Sequence, residues 1–282
     1  MRIVSFQVFK KIYQEILKTF YQFWTPQMQM DMALHCHGWH PCRFDVRTYL
    51  QASMIRYYTS YCSFAREENI QTLCDVGGFW GVFPTTMKTI GFEVTLTESL
   101  KYYGDSFEGL FDLIRKRGVK IVDYDPFQQG SAPGHYDVVT VMAVLEHYPH
   151  SLKTFMGNVI AMMKPEGSFY IEVPNIAYWP KRIAFLHGQT PLVPIEDIYK
   201  SNVPFIGHHH EFTISELRDL AELSNLRIVK ELFYTYSVKG SILTRFFQAP
   251  MATSIQLIRP PTRECLAVLC QRKEEKISNG QV

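Results

Sequence analysis

Leu73–Gly81, with the sequence LCDVGGFWG, is the stretch that decides the fold of this chain. It reads as a short apolar strand that ends in Asp75 and runs into a glycine-rich turn, and Pro84 follows where a helix would begin. Such a strand, loop and helix let backbone N–H groups approach a ligand, and the helix N-terminus favours negative charge there. Glu98 follows the next apolar stretch, about 20 residues on, where a βαβ unit holds a ribose. The pattern predicts a nucleoside-containing cofactor on an open α/β sheet.

The composition is typical of a globular protein with a packed core. The 282 residues are 46% hydrophobic and 14% aromatic, which argues against disorder. A net charge of +2 does not indicate a nucleic-acid partner. The six cysteines form no C-x-x-C pair, so we expect reduced thiols and a cytoplasmic location. Neither a membrane-spanning run nor a secretory signal is expected, since charged residues interrupt the N-terminal apolar positions.

The first 24 residues are predicted to form an amphipathic helix. Apolar side chains recur along it at steps of three and four residues: Phe6, Phe9, Tyr13, Ile16, Phe20 and Phe23. Such a stripe packs on its own domain or covers a substrate pocket. The alternative is peripheral contact of residues 1–27 with a membrane or a partner, because the polar face carries several lysines.

Three regions follow one another along the chain. Residues 1–68 are predicted to form a helical extension or cap, and residues 69–272 alternate short apolar strands with helices. Within this second region, residues 175–207 are rich in proline and aromatic residues and would form a lid or the wall of a substrate pocket. Residues 273–282 are a polar tail.

The alternation of strands and helices predicts an α/β fold with a doubly wound, mostly parallel, seven-stranded sheet. The predicted strands are Thr72–Val76, Phe92–Thr97, Val119–Val122, Tyr136–Met142, Ser168–Val173, Leu226–Tyr236 and Glu264–Gln271. Ligands of such sheets bind outside the carboxyl ends of the strands. The residues just after each strand are therefore the ones to examine.

The chain resembles the class I S-adenosylmethionine-dependent methyltransferases over about residues 57–272. The resemblance rests on five ordered blocks: LCDVGGFWG, TLTESL, YDVVTVMAVLEH, MMKPEGSFYIEVPN and HHHEFTISELRDLAELSNLRIV. The segment PNIAYWPKRIAFLHGQTPL is further similar to the branch that methylates polysaccharides, sugars and small molecules. The resemblance implies a Rossmann-like methyltransferase fold, an enzyme, and S-adenosyl-L-methionine as its cofactor.

The resemblance also implies roles for particular residues. Those that match cofactor-binding positions are Asp75, Gly77, Gly78, Gly81, Glu98, Asp125, Phe127 and Ala143. In the family the glycine loop holds the methionine part, and the acid matched by Glu98 binds the two ribose hydroxyls. The adenine ring is met by the position of Asp125, with Phe127 beside it and Asp123 as the alternative.

The glycine loop departs from the family pattern at one position. The usual pattern is acid-x-Gly-x-Gly-x-Gly, and Phe79 stands where the middle glycine would be. We expect Gly78 to supply the needed backbone freedom, so that the loop is shifted. The alternative is a chain that has lost catalysis and uses the fold to bind a partner.

Methyl transfer from a sulfonium is an in-line displacement, so the protein mainly aligns the acceptor with the methyl group. A hydroxyl acceptor also benefits from a base near neutral pH. Candidate catalytic residues are His147 with Glu146, after the fourth strand, and His208, which lies just before a helix start; each would otherwise shape the pocket. A metal site at His208 would need additional ligands, and the His35–Cys42 cluster lacks zinc-finger spacing, so no metal is predicted.

The sequence thus predicts a methyltransferase that most readily methylates an oxygen of a small-molecule or saccharide-type acceptor. One alternative is a lipid- or quinone-type acceptor at a membrane surface. The other is a non-catalytic binding protein with the same fold. The pattern Gly77-Gly78-Phe79-Trp80-Gly81 is not G-x-G-x-x-G, which disfavours a dehydrogenase. The sequence does not predict the oligomeric state.

Overall fold

The computed structural model of the protein describes residues 3–33, 45–66, 70–128, 132–148, 151–201, 205, 207–237 and 242–273. The His35–Cys42 cluster and the tail from residue 274 onward lie outside these ranges.

Seven strands occur in the described ranges: β1 (Thr72–Val76), β2 (Glu93–Glu98), β3 (Lys120–Asp123), β4 (Tyr136–Met142), β5 (Met163–Pro174), β6 (Leu226–Tyr234) and β7 (Cys265–Arg272). They form a sheet in the order β3-β2-β1-β4-β5-β7-β6. Strands β1 to β5 pair in parallel, and β7 lies antiparallel to both β5 and β6. This confirms the predicted doubly wound, mostly parallel sheet.

Strand β5 differs most from its predicted bounds, because it begins at Met163 instead of Ser168. Tyr136 pairs with Met163, whereas Val138 pairs with Ser168, so the intervening residues of β5 bulge out of register. Pro165 in this bulge has no N–H to give to the ladder. The sequence Lys164-Pro165-Glu166-Gly167 is typical of a turn, but in the fold it is an irregularity inside a longer strand.

Helices cover both faces of the sheet. They are α1 (Phe6–Phe23), α2 (Pro26–Ala33), α3 (Val46–Phe64), α4 (Val82–Ile90), α5 (Glu108–Lys116), α6 (Leu152–Ala161), α7 (Trp179–Leu186), α8 (Ile195–Tyr199), α9 (Ile214–Leu223), α10 (Ile242–Gln248) and α11 (Pro250–Ile258). Side chains of α1, α3, α4 and α5 share one hydrophobic core with one face of the sheet. Helices α6 and α9 pack on the opposite face.

Helix α1 buries its apolar stripe against the rest of the protein. Phe9, Tyr13 and Phe20 are almost fully buried, and the Tyr13 hydroxyl donates a hydrogen bond to the Leu50 carbonyl at 2.6 Å. The packing interpretation is thus confirmed for the stripe as far as Phe20, whereas Phe23 at its end is 40% exposed. Within the described residues, we find no helix with both the length and the apolar character needed to cross a bilayer.

Truncation of the Phe9 side chain tests how much the packing of α1 contributes to the stability of the fold. Phe9 is 0% exposed and its ring contacts the rings of Tyr13, Tyr58 and Tyr61. We expect Phe9→Ala to lower the free energy of unfolding by about 3–5 kcal/mol, measured by urea denaturation. Val8→Ala, at a neighbouring position that is 47% exposed, is the control and should change it by less than about 0.5 kcal/mol. Equal effects of the two substitutions would contradict this account.

Candidate functional site

A cavity of about 610 Å³ lies at the carboxyl edge of the sheet. Residues at or just after the ends of β1, β2, β3, β4 and β5 border it. The strand order reverses between β1 and β4, and such a switch point leaves a crevice between the connections on either side. The volume is that of a site for small molecules and cofactors.

Most of the predicted site residues meet at this cavity. Those that border it are Asp75, Gly77, Gly78, Glu98, Asp125, Phe127, Ala143, Glu146, His147 and His208. Gly81 does not: a Cβ there would lie 2.4 Å from Ile114 of α5, so this glycine allows close packing of the loop on a helix. Asp123, the alternative to Asp125, is exposed, accepts a hydrogen bond from the Leu100 N–H at 3.0 Å, and is not part of the border.

The glycine loop takes a different conformation from the one expected. Gly77 and Gly81 have φ of 66° and 69°, and the third left-handed residue is Trp80, with φ of 61°. Gly78 has φ of −74°, so the prediction that it supplies backbone freedom is wrong. It is needed for space instead, because a Cβ there would come within 2.5 Å of Asp75 Oδ2.

Trp80 lies inside the protein and not over the cavity. Its ring packs against the rings of Phe20, Trp24 and Tyr49. Left-handed backbone costs a non-glycine residue about 1–2 kcal/mol, which the burial of a large ring offsets. The loop therefore follows the aromatic packing of the N-terminal helices. The side chain of Phe79 lies outside the described part.

Asp75 places a buried carboxylate at the cavity. Its Oδ1 accepts a hydrogen bond from the Thr140 hydroxyl at 2.6 Å, and its Oδ2 has no donor among the described residues. Burial raises the pKa of Asp75 to about 7, although the bond from Thr140 acts to lower it. A buried acceptor at the edge of a cavity suits a ligand that brings an N–H or O–H donor.

Two further carboxylates border the cavity, Glu98 at the end of β2 and Asp125 just after β3. Asp125 accepts hydrogen bonds from the Phe127 N–H at 3.1 Å and from Lys101 Nζ at 3.1 Å, which fixes the turn after β3. The Phe127 ring stacks on the ring of Tyr148. This part of the cavity combines carboxylates with a flat aromatic wall.

The chain turns sharply at Ala143, directly after β4. Ala143 has φ of 56°, and its N–H donates to the Glu172 carbonyl at 2.9 Å. Non-glycine residues held in the left-handed region cluster at functional sites. The turn leads into a 3-10 helix, Leu145–His147, that brings Glu146 and His147 to the cavity.

The segment after residue 207 is bound to this same turn. The Glu146 carbonyl accepts hydrogen bonds from the N–H groups of His209 and His210 at 2.6 and 3.3 Å. The rings of His147 and His208 consequently lie 4.8 Å apart, edge to face. The Glu146 side chain is fully buried and neither carboxylate oxygen has a partner among the described residues. Burial raises the pKa of Glu146 to about 7, against the opposing charge of His208.

Glu211 holds the His208 ring in place. His208 Nδ1 lies 2.9 Å from Glu211 Oε1, and Lys181 of α7 binds the other oxygen of Glu211. Although burial alone would raise it, these two partners hold the pKa of Glu211 below its ordinary value. The ionised carboxylate accepts from Nδ1–H, which leaves Nε2 of His208 for a ligand. The sequence Thr213-Ile214-Ser215-Glu216 has the pattern of a capping box, and this box is present at the start of α9, just beyond this segment.

Sequence reasoning missed the buried ion pair of the cavity wall. Arg56 of α3 binds Glu172 of β5, donates to the Tyr49 hydroxyl at 2.7 Å, and is 2% exposed. The Tyr234 hydroxyl donates to the other oxygen of Glu172. The signal for this pair was one charge in each of two otherwise uncharged stretches, Arg56 in residues 48–65 and Glu172 in residues 167–180, since a charge is rarely buried without a partner.

Residues 46–231 match the model of a protein family described as a methyltransferase domain. The match spans more than half of the chain, and the chain belongs to this family. The predicted class is thus confirmed: the protein is an S-adenosylmethionine-dependent methyltransferase. No curated protein matches the chain significantly in sequence.

Solved structures support the same fold. The magnesium protoporphyrin IX methyltransferase of Synechocystis PCC 6803, with bound S-adenosylhomocysteine, has a TM-score of 0.51 and 11% identity over 82% of this chain and 89% of that chain. The 1,6-didemethyltoxoflavin-N1-methyltransferase of Burkholderia thailandensis has a TM-score of 0.50 and 13% identity over 97% and 93%. Mitomycin 7-O-methyltransferase has a TM-score of 0.50 and 17% identity over 94% and 68%. At these identities the likeness establishes the fold alone.

The raised pKa of Asp75 has a consequence for stability. Its pKa is about 7 in the folded protein and about 3.9 in an unfolded chain, so the folded state binds more protons between these values. The free energy of unfolding therefore falls as pH rises through this window, by up to about 1.4 kcal/mol per pH unit. We expect Asp75→Asn to remove this contribution in urea denaturation between about pH 4 and about pH 7. A wild-type slope in Asp75→Asn would contradict the assignment.

Proposed function

We propose that this protein transfers a methyl group from S-adenosylmethionine to a hydroxyl oxygen of a small-molecule or saccharide-type acceptor. The observation that carries the proposal is a single cavity with two chemically different ends. One end has the acids Glu98 and Asp125, and the other has Glu146, His147 and His208. A cofactor and an acceptor could occupy these ends at the same time.

The residues of the first end fit the cofactor. S-adenosylmethionine supplies a methyl group already attached to a good leaving group. The Asp75 oxygen without a partner suits an amino group of the methionine part, and Gly77 lets the backbone pass close by. Glu98 would accept hydrogen bonds from the two ribose hydroxyls, and Asp125 with Phe127 would meet the adenine ring.

The residues of the second end fit activation of a hydroxyl. The acceptor oxygen attacks the methyl carbon in line, a C–O bond forms, and the electron pair of the broken C–S bond goes to sulfur. The hydroxyl must lose its proton, whereas a neutral amine could react without a base. Glu146, His147 and His208 together are the groups that we assign to this activation, which is why oxygen is the favoured acceptor atom.

The segment 175–207 is proposed as the acceptor-side wall. Its described part contains α7 and α8, and Lys181 of α7 binds Glu211, the residue that holds His208. Phe205 borders the cavity directly. Residues 202–204 and 206 lie outside the described part. The acceptor-side wall is therefore joined to His208 through the ion pair between Lys181 and Glu211.

A lipid- or quinone-type acceptor at a membrane surface is the second candidate. Helix α1 gives it little support, because its apolar stripe is buried as far as Phe20. A different surface favours it: α7, α10 and α11 expose the apolar side chains Phe185, Leu186, Leu243, Phe247, Met251 and Ile258, and α11 packs on the other two helices. Co-sedimentation of the full chain with anionic lipid vesicles tests this candidate, and protein that stays entirely in the supernatant would remove it.

Replacement of Glu98 tests the cofactor end. Loss of hydrogen bonds between a carboxylate and the ribose costs about 1.5–3 kcal/mol, so Glu98→Ala should weaken S-adenosylmethionine binding by at least about tenfold. Isothermal titration calorimetry measures this. Glu93→Ala, at the other and exposed end of β2, is the matched control and should bind as the wild type does. Absence of binding by the wild-type protein would favour the non-catalytic alternative.

Replacement of His208 tests the acceptor end. Methyl transfer from labelled S-adenosylmethionine to a panel of sugars and hydroxylated aromatic compounds is the measurement. We expect His208→Ala to lower the rate for any methylated member by about 100-fold or more, with unchanged S-adenosylmethionine affinity. The exposed control His135→Ala, away from the cavity, should keep the full rate. A fully active His208→Ala protein would show that this end has no role in activation.

A further inference from the structure

Glu146, His147 and His208 form a group of three potential metal ligands at the acceptor end of the cavity. One ligand atom from each lies within 4.8 Å of the others. Ligands about 2.1 Å from one ion are at most about 4.2 Å apart, so small side-chain rotations would suffice. Two imidazoles and a carboxylate are a donor set that binds Zn²⁺ and other divalent transition metals, with coordination positions left open.

Glu146 gives independent support for a cation at this place. Its carboxylate is 0% exposed, and neither oxygen has a hydrogen bond from another described residue. A buried carboxylate without a partner is costly, and proteins normally satisfy it with a donor or a metal ion. A cation between Glu146 and the two imidazoles would satisfy it directly.

The surroundings of His208 also suit a metal ligand. Glu211 holds Nδ1 of His208 at 2.9 Å, and Lys181 holds Glu211 in turn. A carboxylate that accepts from one imidazole nitrogen orients the ring and raises the basicity of the other nitrogen, which is the usual arrangement around a ligating histidine. The main-chain bonds from His209 and His210 to Glu146 keep the two segments together.

We propose that Glu146, His147 and His208 bind one divalent transition-metal ion. The sequence indicated that a metal site at His208 would need additional ligands, and the fold supplies two of them from the turn after β4. The role of the ion rests on the proposed function: it would take the acceptor oxygen in an open position and lower the pKa of its hydroxyl. The binding of the ion does not rest on that function.

Metal titration of the full chain tests the proposal. Protein freed of metal by a chelator is titrated with Zn²⁺ by calorimetry, and Co²⁺ absorption reports the ligand field. We expect one more ion per chain in the wild type than in His147→Ala/His208→Ala. This comparison also cancels any ion held by the histidines and cysteines of residues 35–42. His135→Ala, at an exposed position away from the cavity, is the matched control and should bind as the wild type does.

Two further variants keep the test decisive if the double variant does not fold. Glu146→Gln removes the charged ligand while keeping the shape, and Glu211→Gln should weaken the site by about 10–100-fold without removing a ligand. Equal Zn²⁺ binding by the wild type, Glu146→Gln and Glu211→Gln would overturn the proposal. S-adenosylmethionine binding is measured on the same samples, so that loss of metal binding alone leaves the proposed function standing.

Discussion

The buried ion pair between Arg56 and Glu172 is the interaction on which the rest of the cavity depends. It joins helix α3 of the N-terminal extension to the central strand β5 at the carboxyl edge of the sheet. Removing one partner of a buried pair commonly costs about 3–5 kcal/mol, because the other charge is left without compensation. Tyr49 and Tyr234 satisfy further hydrogen-bonding groups of the pair. The helices before the sheet are thus fixed at the site itself and not only on its flank.

Most of the fold could be predicted because its signals are local. Apolar runs placed six of the seven strands to within two residues at each end, and the residues after the strands gave about half of the cavity border. The exception, β5, contains Pro165 in a bulge, where a local turn signal and a long-range pairing act on the same residues. The conformation of Gly78 was also mispredicted, because the packing of Trp80 on distant aromatic rings sets the loop.

The parts of the site that could not be predicted depend on contacts between residues far apart in the sequence. Arg56 and Glu172 are separated by 116 positions, so neither local pattern nor spacing relates them. The meeting of His208 with Glu146 and His147 likewise depends on main-chain bonds that join two separate loops. Sequence reasoning could identify each group as chemically able. It could not show that the three share one place, and this is what distinguishes a set of bases from a ligand cluster.

The packing of Trp80 bears on where this protein can be divided. Every strand of the described residues lies after residue 69, so a fragment that starts there would retain the sheet. It would lose Phe20, Trp24 and Tyr49, the rings on which Trp80 rests, and with them the support for the left-handed loop beside Asp75. The family match itself begins at residue 46, inside the predicted extension. The boundary at residue 69 therefore separates two stretches of chain but not two units that could be inherited or exchanged independently.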